Sequence, residues 1–321
     1  MTARPEVIFH INPREAANWR GRDRLAIFNR IAALCDAHAI PYRAISRPRG
    51  ETDPKAASAD GNLHIVEGGA VQGEGWLNTG LAYLIGFWHL DPEGIQARSS
   101  ARHAGFDGAG IDKATAMQFL RRLQRQFLQP RLSRFHQPRK VETALPQGAI
   151  AVFLQGEAAW RTGNCTLPAH EMILAVCRAA GDRPVIVKPH PQVQEHGAEV
   201  IEIARDMGAT VTVTTANVHD VLRAAAVTVS VNSAVAIEGL MHRRPAILFG
   251  DSDFESLAVR AEGAGDLAHA LATALGQRWP YAKMLYWYFS RHALELAAPD
   301  FDDRCFAAFT SVGFPKERLL A

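Results

Sequence analysis

The sequence predicts an α/β protein: two Rossmann-like halves facing a cleft, with helices near the C-terminus packed across one or both. Three observations carry this expectation. From Ala149 onward, short β-branched segments alternate with amphipathic ones at regular intervals. A similar strand–helix–strand opening begins at Val7. Between the two lies QPRKVETALPQG, which has two prolines and no periodicity and reads as a linker. The expected domains are residues 1–145, residues 146–275 and a set of terminal helices over 276–321.

In the first half, VIFHI (Val7 to Ile11) reads as a buried strand. Arg22 to His38 places Leu25, Ile27, Phe28, Ile31, Leu34 and Cys35 near helical spacing, and Pro41 closes that helix. YRAIS and NLHIVEGG are the next strands. A Gly-rich segment follows from Gly68 to Gly94, then a loop from Gly105 to Gly110. A helix is expected from about Lys113 to Phe135, apolar on one side and arginine-rich on the other. In the second half the strands are AIAVFLQ, PVIVKPHP, ATVTVTT, VTVSVN and PAILFG. The helices between them are PAHEMILAVCRAAG, AEVIEIARDMG, VHDVLRAA and SAVAIEGLMHR. WPYAKMLYWYFSRHALEL supplies terminal helices.

Composition narrows the function. The 321 residues are 48% hydrophobic and 21% charged, the balance of a globular chain. A net charge of +2 offers no global field for nucleic acid. The start of the chain lacks the basic, apolar and small-residue regions of a secretion signal, and LAYLIGFWHL is too short to span a bilayer. The four cysteines are scattered, without a CxxC, as suits reduced thiols in the cytoplasm and no structural zinc. The basic run LRRLQRQFLQPRLSRFHQPRK is either a solvated face or a peripheral contact with anionic lipid.

In a doubly wound sheet, ligands bind beyond the carboxyl ends of the strands. Three segments put polar residues there. In VIVKPHP, Lys188 and His190 follow a strand, and Pro189 and Pro191 stiffen the loop. The pair either neutralises a phosphate or is a loop that hydrogen-bonds its own backbone. In VTVSVNSAVAIEGL, Ser230 and Asn232 end a strand and Ser233 opens a helix, as a plain cap or as an anion site. Glu238, five residues after Ser233, either reaches a ribose hydroxyl or is solvated. In FLQGEAAW, Gln155 and Glu157 follow the first strand of the half, so Glu157 is either a cleft carboxylate or a surface acid. In the N-terminal half, WHLDPEG carries His89, Asp91 and Glu93, as a functional loop or as a capped turn. The chain has no GK[ST] phosphate loop, GxSxG elbow, HExxH or EF-hand loop.

FLQGE, VIVKPHP and SVNSAVAIEGL..RRPAILFG together resemble the bacterial capsular polysaccharide biosynthesis family over about Ala149 to Gly250. GFWHLDPEGIQARSS is similar to the family more loosely. The resemblance implies a GT-B fold and a Kdo transferase using CMP-Kdo. The HP and Ser motifs are also similar to those of bacterial sialyltransferases. By this resemblance His190 contacts the donor phosphate, and Ser230, Asn232 and Ser233 cradle it. Lys188, Gln155 and Glu238 complete the donor side. Glu157 falls where retaining members carry an aspartate nucleophile, and is one methylene longer. His190, Glu157 and Asp91 are the expected catalytic residues. The donor is the substrate, and neither a cofactor nor a metal is expected. The acceptor is a glycan or glycolipid and the location cytoplasmic, peripheral to the inner membrane if the basic run contacts lipid. Two other readings stay open: transfer of a polyol phosphate from a CDP-linked donor, and a degenerate module that binds nucleotide or glycan without catalysis.

Overall fold

A computed structural model describes residues 4–47, 60–161, 163–165 and 167–320. The chain divides into two compact units, residues 1–103 with 289–321, and residues 104–288. Each carries one six-stranded sheet.

In the first unit the strands are β1 (Val7–Ile11), β2 (Tyr42–Ser46), β3 (Leu63–Glu67), β4 (Trp76–Leu81), β5 (Phe87–Asp91) and β12 (Leu294–Glu295). Their order is β12-β5-β4-β3-β1-β2. The pairs β1–β2, β1–β3 and β3–β4 are parallel, whereas β4–β5 and β5–β12 are antiparallel. Both β4 and β5 lie inside the segment expected to be merely Gly-rich. Alternate residues Val7, Phe9 and Ile11 of β1 enter one core with the helix Ala26–Ala37 and with Phe301, Cys305 and Phe309 of the helix Phe301–Ser311. The end of the chain is thus part of the first unit's core.

The second unit is wholly parallel: β6 (Ala149–Phe153), β7 (Val185–Lys188), β8 (Thr212–Val213), β9 (Ala225–Ser230), β10 (Ala246–Leu248) and β11 (Val259–Arg260). Their order is β11-β10-β9-β6-β7-β8. Counted within the unit this is 3-2-1-4-5-6 read backwards, the Rossmann order. The central strand β6 is apolar throughout because helices cover both faces. Ile150 and Val152 pack with the helices Ala169–Ala179 and Leu267–Gly276, and Ala151 and Phe153 pack with the helix Val218–Ala224. The topology reverses between β6 and β9, which opens the crevice where such sheets bind ligands.

The units divide at 103/104 rather than at the expected 145/146. The helix Lys113–Leu123 continues as a π-turn over Gln124–Leu128 and stops before Pro130, short of the expected Phe135. The end of the expected helix and the start of the expected linker, from Arg131 to Glu142, instead lie on the second unit as a strap. Asp220, buried, binds it at both ends, pairing with Arg131 and accepting from Glu142 N at 2.9 Å. His219 Nε2 donates to Leu132 O at 2.8 Å, and Val218 N donates to Gln137 Oε1 at 3.0 Å. The signal missed was Asp220 itself, one buried acid with two partners on a distant segment.

Candidate functional site

The carboxyl ends of β6, β7 and β9 bring most of the sequence-predicted residues together. Gln155 and Asn232 meet across the switch point and satisfy each other. Gln155 Nε2 donates to Asn232 Oδ1 and Asn232 N donates to Gln155 Oε1, each at 2.9 Å, while Asn232 Nδ2 donates to Asp251 O at 2.8 Å. Both side chains were expected to touch the donor. Their polar atoms instead hold the floor of the crevice in shape. Gln155→Leu should therefore destabilise the unit by roughly 1 kcal/mol, the net worth of a half-buried hydrogen bond. Urea denaturation measures this, and an unchanged midpoint would contradict the assignment.

Ser230 Oγ accepts from Ser233 N at 3.2 Å, and Ser233 Oγ accepts from Val235 N at 3.2 Å. The helix is shorter than expected, Val235–Met241, and Ala234 rather than Ser233 is its N-cap residue. Ser233 still ends the loop into that helix, with its hydroxyl hydrogen available as a donor.

Lys188 is buried and its Nζ donates to Ala216 O at 2.7 Å. Burial pulls its pKa down to about 8. It is therefore a weaker anion ligand than its sequence position promised. His190 is half-buried and its Nδ1 accepts from Gln192 N at 3.2 Å. An accepting Nδ1 puts the proton of neutral imidazole on Nε2, so His190 is a donor toward a ligand. Burial, then Arg134 and Lys188, lower its pKa. The lowered pKa favours the neutral donor over the imidazolium that a phosphate neighbour suggests. The loop is fixed from behind by the helix Gln194–Asp206. A Cβ at Gly197 would stand 2.8 Å from Pro189 Cβ, so glycine alone lets this helix approach.

The strap supplies residues that the sequence reading passed over. Phe135 meets the His190 ring edge-on at 4.8 Å, and Ser133 Oγ donates to Glu238 Oε1 at 2.7 Å. Ser133, Arg134, Phe135 and Gln137 line a cavity of about 50 Å³ with Lys188, His190, Ser233 and Glu238. That is room for a few waters. On the other side of Phe135 and Lys188 lies a pocket of about 460 Å³, lined also by Gln192, Gln194 and Thr215. Glu238 is fully buried, and Oε2 has no hydrogen-bond partner; the Arg134 backbone approaches the carboxylate without closing a bond to that oxygen. Desolvation raises its pKa to about 7 against the opposing Ser133 bond. Glu238 is thus neither solvated nor open to a ligand while Ser133 covers it.

Glu157 sits exposed at the carboxyl end of β6, where its carbonyl accepts from Trp160 N and Arg161 N. Asp91, in the first unit, is committed to its own loop. Oδ1 accepts from Glu93 N at 2.8 Å and Gly94 N at 3.0 Å, and Oδ2 accepts from Ser100 Oγ at 2.6 Å and Ser100 N at 3.0 Å. These bonds account for its burial and make it a loop organiser; they leave no free lone pair for the expected catalysis.

A second cluster in the first unit was not foreseen. Asp60 Oδ1 accepts from His64 Nε2 at 3.0 Å, and His64 Nδ1 faces His10 Nε2 at 2.9 Å. His64 stacks on Trp76 at 4.3 Å. Burial, His64 and the Arg47 and Arg43 charges push the His10 pKa down to about 4, against Asp60. His10 and His64 are far apart in sequence, and only the parallel β1–β3 register joins them. Among the described residues there is no group of three or more His, Cys, Asp and Glu placed to hold a metal, and no helix long and apolar enough to cross a membrane.

No protein-family model and no curated protein sequence matches the chain. Solved structures do. The beta Kdo 2,7 transferase of Thermosulfurimonas dismutans KpsC superposes with a TM-score of 0.55 at 12% identity, over 96% of this chain and 99% of that one. The beta Kdo 2,4 transferase of the same protein gives 0.52 at 16% identity, over 88% and 90%. The fold is GT-B, of the Kdo-transferase-like kind. At these identities the likeness concerns the fold, and the function rests on the site.

Proposed function

We propose that the second unit binds a nucleotide-activated sugar and that the protein is a metal-independent glycosyltransferase, with CMP-Kdo the favoured donor and a glycan or glycolipid the acceptor. The observation that carries this reading is the convergence of His190, Ser233 and Arg134 on one cavity at the topological switch point, beside a pocket large enough for a nucleoside. The His–Pro and Ser motifs, read with the family resemblance, favour CMP-Kdo. The nucleobase takes the larger pocket, between Phe135 and the amides of Gln192 and Gln194. The phosphate displaces the strap contacts of Ser133 and Phe135 and accepts from His190 Nε2 and the Ser233 hydroxyl, with Arg134 providing charge. With Ser133 displaced, Glu238 meets a donor hydroxyl.

As the sugar's anomeric C–O bond breaks, its electron pair leaves with the phosphate, where these donors stabilise it. Glu157, exposed at the β6 end, supplies the carboxylate on the sugar's other face. As base it takes the acceptor hydroxyl's proton while that oxygen bonds the anomeric carbon, or as nucleophile it bonds that carbon first and the acceptor oxygen then displaces it. Ser233→Ala should weaken donor binding about tenfold or more, the scale of a lost charge-assisted bond, and cost only about 1 kcal/mol of stability. A larger stability loss with unchanged donor affinity would make Ser233 a residue of the loop alone. The reading is tested by assaying CMP-, CDP- and UDP-linked donors for transfer or hydrolysis. Turnover of a CMP-sugar supports it, and turnover of a CDP-polyol alone moves the protein to polyol-phosphate transfer. Binding without turnover makes it a nucleotide-binding module, a reading favoured by Glu157 in the nucleophile position and by the closed strap.

A further inference from the structure

A second concavity of the same unit belongs to none of this. It is an open groove of about 530 Å³ between the helix Lys113–Leu123 and the segment Gln277–Lys283, far along the chain from His190 and sharing no lining residue with that cavity. Lys113, Arg243, Arg278 and Lys283 line it, with Trp279 and Tyr281, over a floor that includes Met117 and Leu120. No carboxylate lines it. The acid nearest to Lys113 in sequence, Asp112, is engaged in capping Thr115 N at 2.7 Å.

The walls are fixed. Trp279 Nε1 donates to Ala274 O at 2.9 Å, which sets the plane of the indole, and Lys283 Nζ donates to Gly108 O at 2.8 Å. Arg243 follows the helix Val235–Met241 and its C-cap His242, at φ 57°. That left-handed position after a helix is usually glycine, which alone takes it without strain. An arginine there is held against its own backbone preference, at the edge of the groove it lines.

We propose that this groove binds an acidic saccharide, with the sugar face on Trp279 and its carboxylate or phosphate groups on Arg243, Arg278 and Lys113. The volume falls within the roughly 300–1,000 Å³ of small-ligand sites. Aromatic rings present an apolar face to the C–H side of a sugar, while the cations gather around its anionic edge. A bilayer is the other anionic partner, but a flat surface does not enter a concave groove. The proposal is independent of the donor assignment, because it concerns different residues and needs no turnover.

Calorimetric titration of the full chain at low salt tests it, with trigalacturonate as the acidic probe and the neutral trigalactoside of the same linkage beside it. The acidic probe should bind at least tenfold more tightly than the neutral one, and saturating CMP should leave that binding unchanged. Arg243→Gly suits the backbone and keeps the fold, and should weaken acidic binding at least tenfold; Arg278→Ala should do likewise. High salt should weaken it too. Equal affinity for both probes, no binding of either, competition by CMP, or full binding by Arg243→Gly would each overturn the proposal. So would association with phosphatidylglycerol vesicles that Arg243→Gly abolishes in the absence of saccharide binding, which would make the groove a membrane contact.

Discussion

His190→Ala is expected to lower turnover by about 10²–10³-fold, the usual effect of removing one donor to a developing oxyanion. The expectation follows from tautomer and position. Nδ1 is occupied by Gln192 N, so Nε2 carries the proton toward the cavity. Its pKa is held below the ordinary 6.5 by burial and by Arg134 and Lys188. The neutral donor form is therefore favoured at pH 7 and more so as pH rises, so His190 should cause no loss of rate between pH 7 and 8. His190→Asn retains an oxygen able to accept from Gln192 N and so keeps the loop tied. If His190 only ties the loop, the asparagine variant will turn over donor at nearly the wild-type rate. If it stabilises the leaving phosphate, both variants will be slow with an unchanged melting temperature.

The second large effect is a pH dependence of stability set by Glu238. Its folded pKa is about 7, raised from 4.5 chiefly by desolvation. Between these values the folded chain holds a proton that the unfolded chain has released. Stability from this group is present below about pH 4.5 and is lost as pH rises through 7. The loss is of the order of 3 kcal/mol at pH 8. Glu238→Gln keeps the shape and the acceptor for Ser133 while removing the titration. Urea denaturation of both proteins at pH 5 and pH 8 should show the wild type losing stability relative to the variant. His10 and His242, with pKa values lowered to about 4 and about 3 by burial, act in the opposite sense, losing stability as pH falls below 6.5. They are common to both proteins and cancel in the difference. Parallel pH profiles would mean that Glu238 remains ionised in its buried place.

Alternation made the second unit legible, because βα units of parallel strands leave a repeating apolar signature from Ala149 to Gly250. The switch point followed, and with it His190, Ser233 and their neighbours. What each side chain does there was less legible. Gln155 and Asn232 have the polarity of ligand residues, yet spend it on each other. Asp91 resembles a catalytic acid only until its four loop donors are seen. The strap was misjudged because its first residues, to Phe135, were read as more of the arginine-rich helix, and those from Gln137, with prolines and no periodicity, look like a linker. Its anchors, Asp220 and His219, are residues whose own segment reads as an ordinary helix. The antiparallel edge of the first sheet was hidden for a related reason. WLNTGL and FWHLD are short and joined by a short turn, within a stretch punctuated by glycines.

Equilibrium binding of CMP to the full chain, followed by the ³¹P resonance of the nucleotide, tests the account's central claim most directly. The account predicts a shifted, saturable phosphate signal that weakens at least tenfold in His190→Ala and in Ser233→Ala. Glu157→Gln should leave it unchanged, since Glu157 is assigned to the sugar and not to the phosphate. A phosphate signal that fails to shift, or one equally strong in His190→Ala, would contradict it.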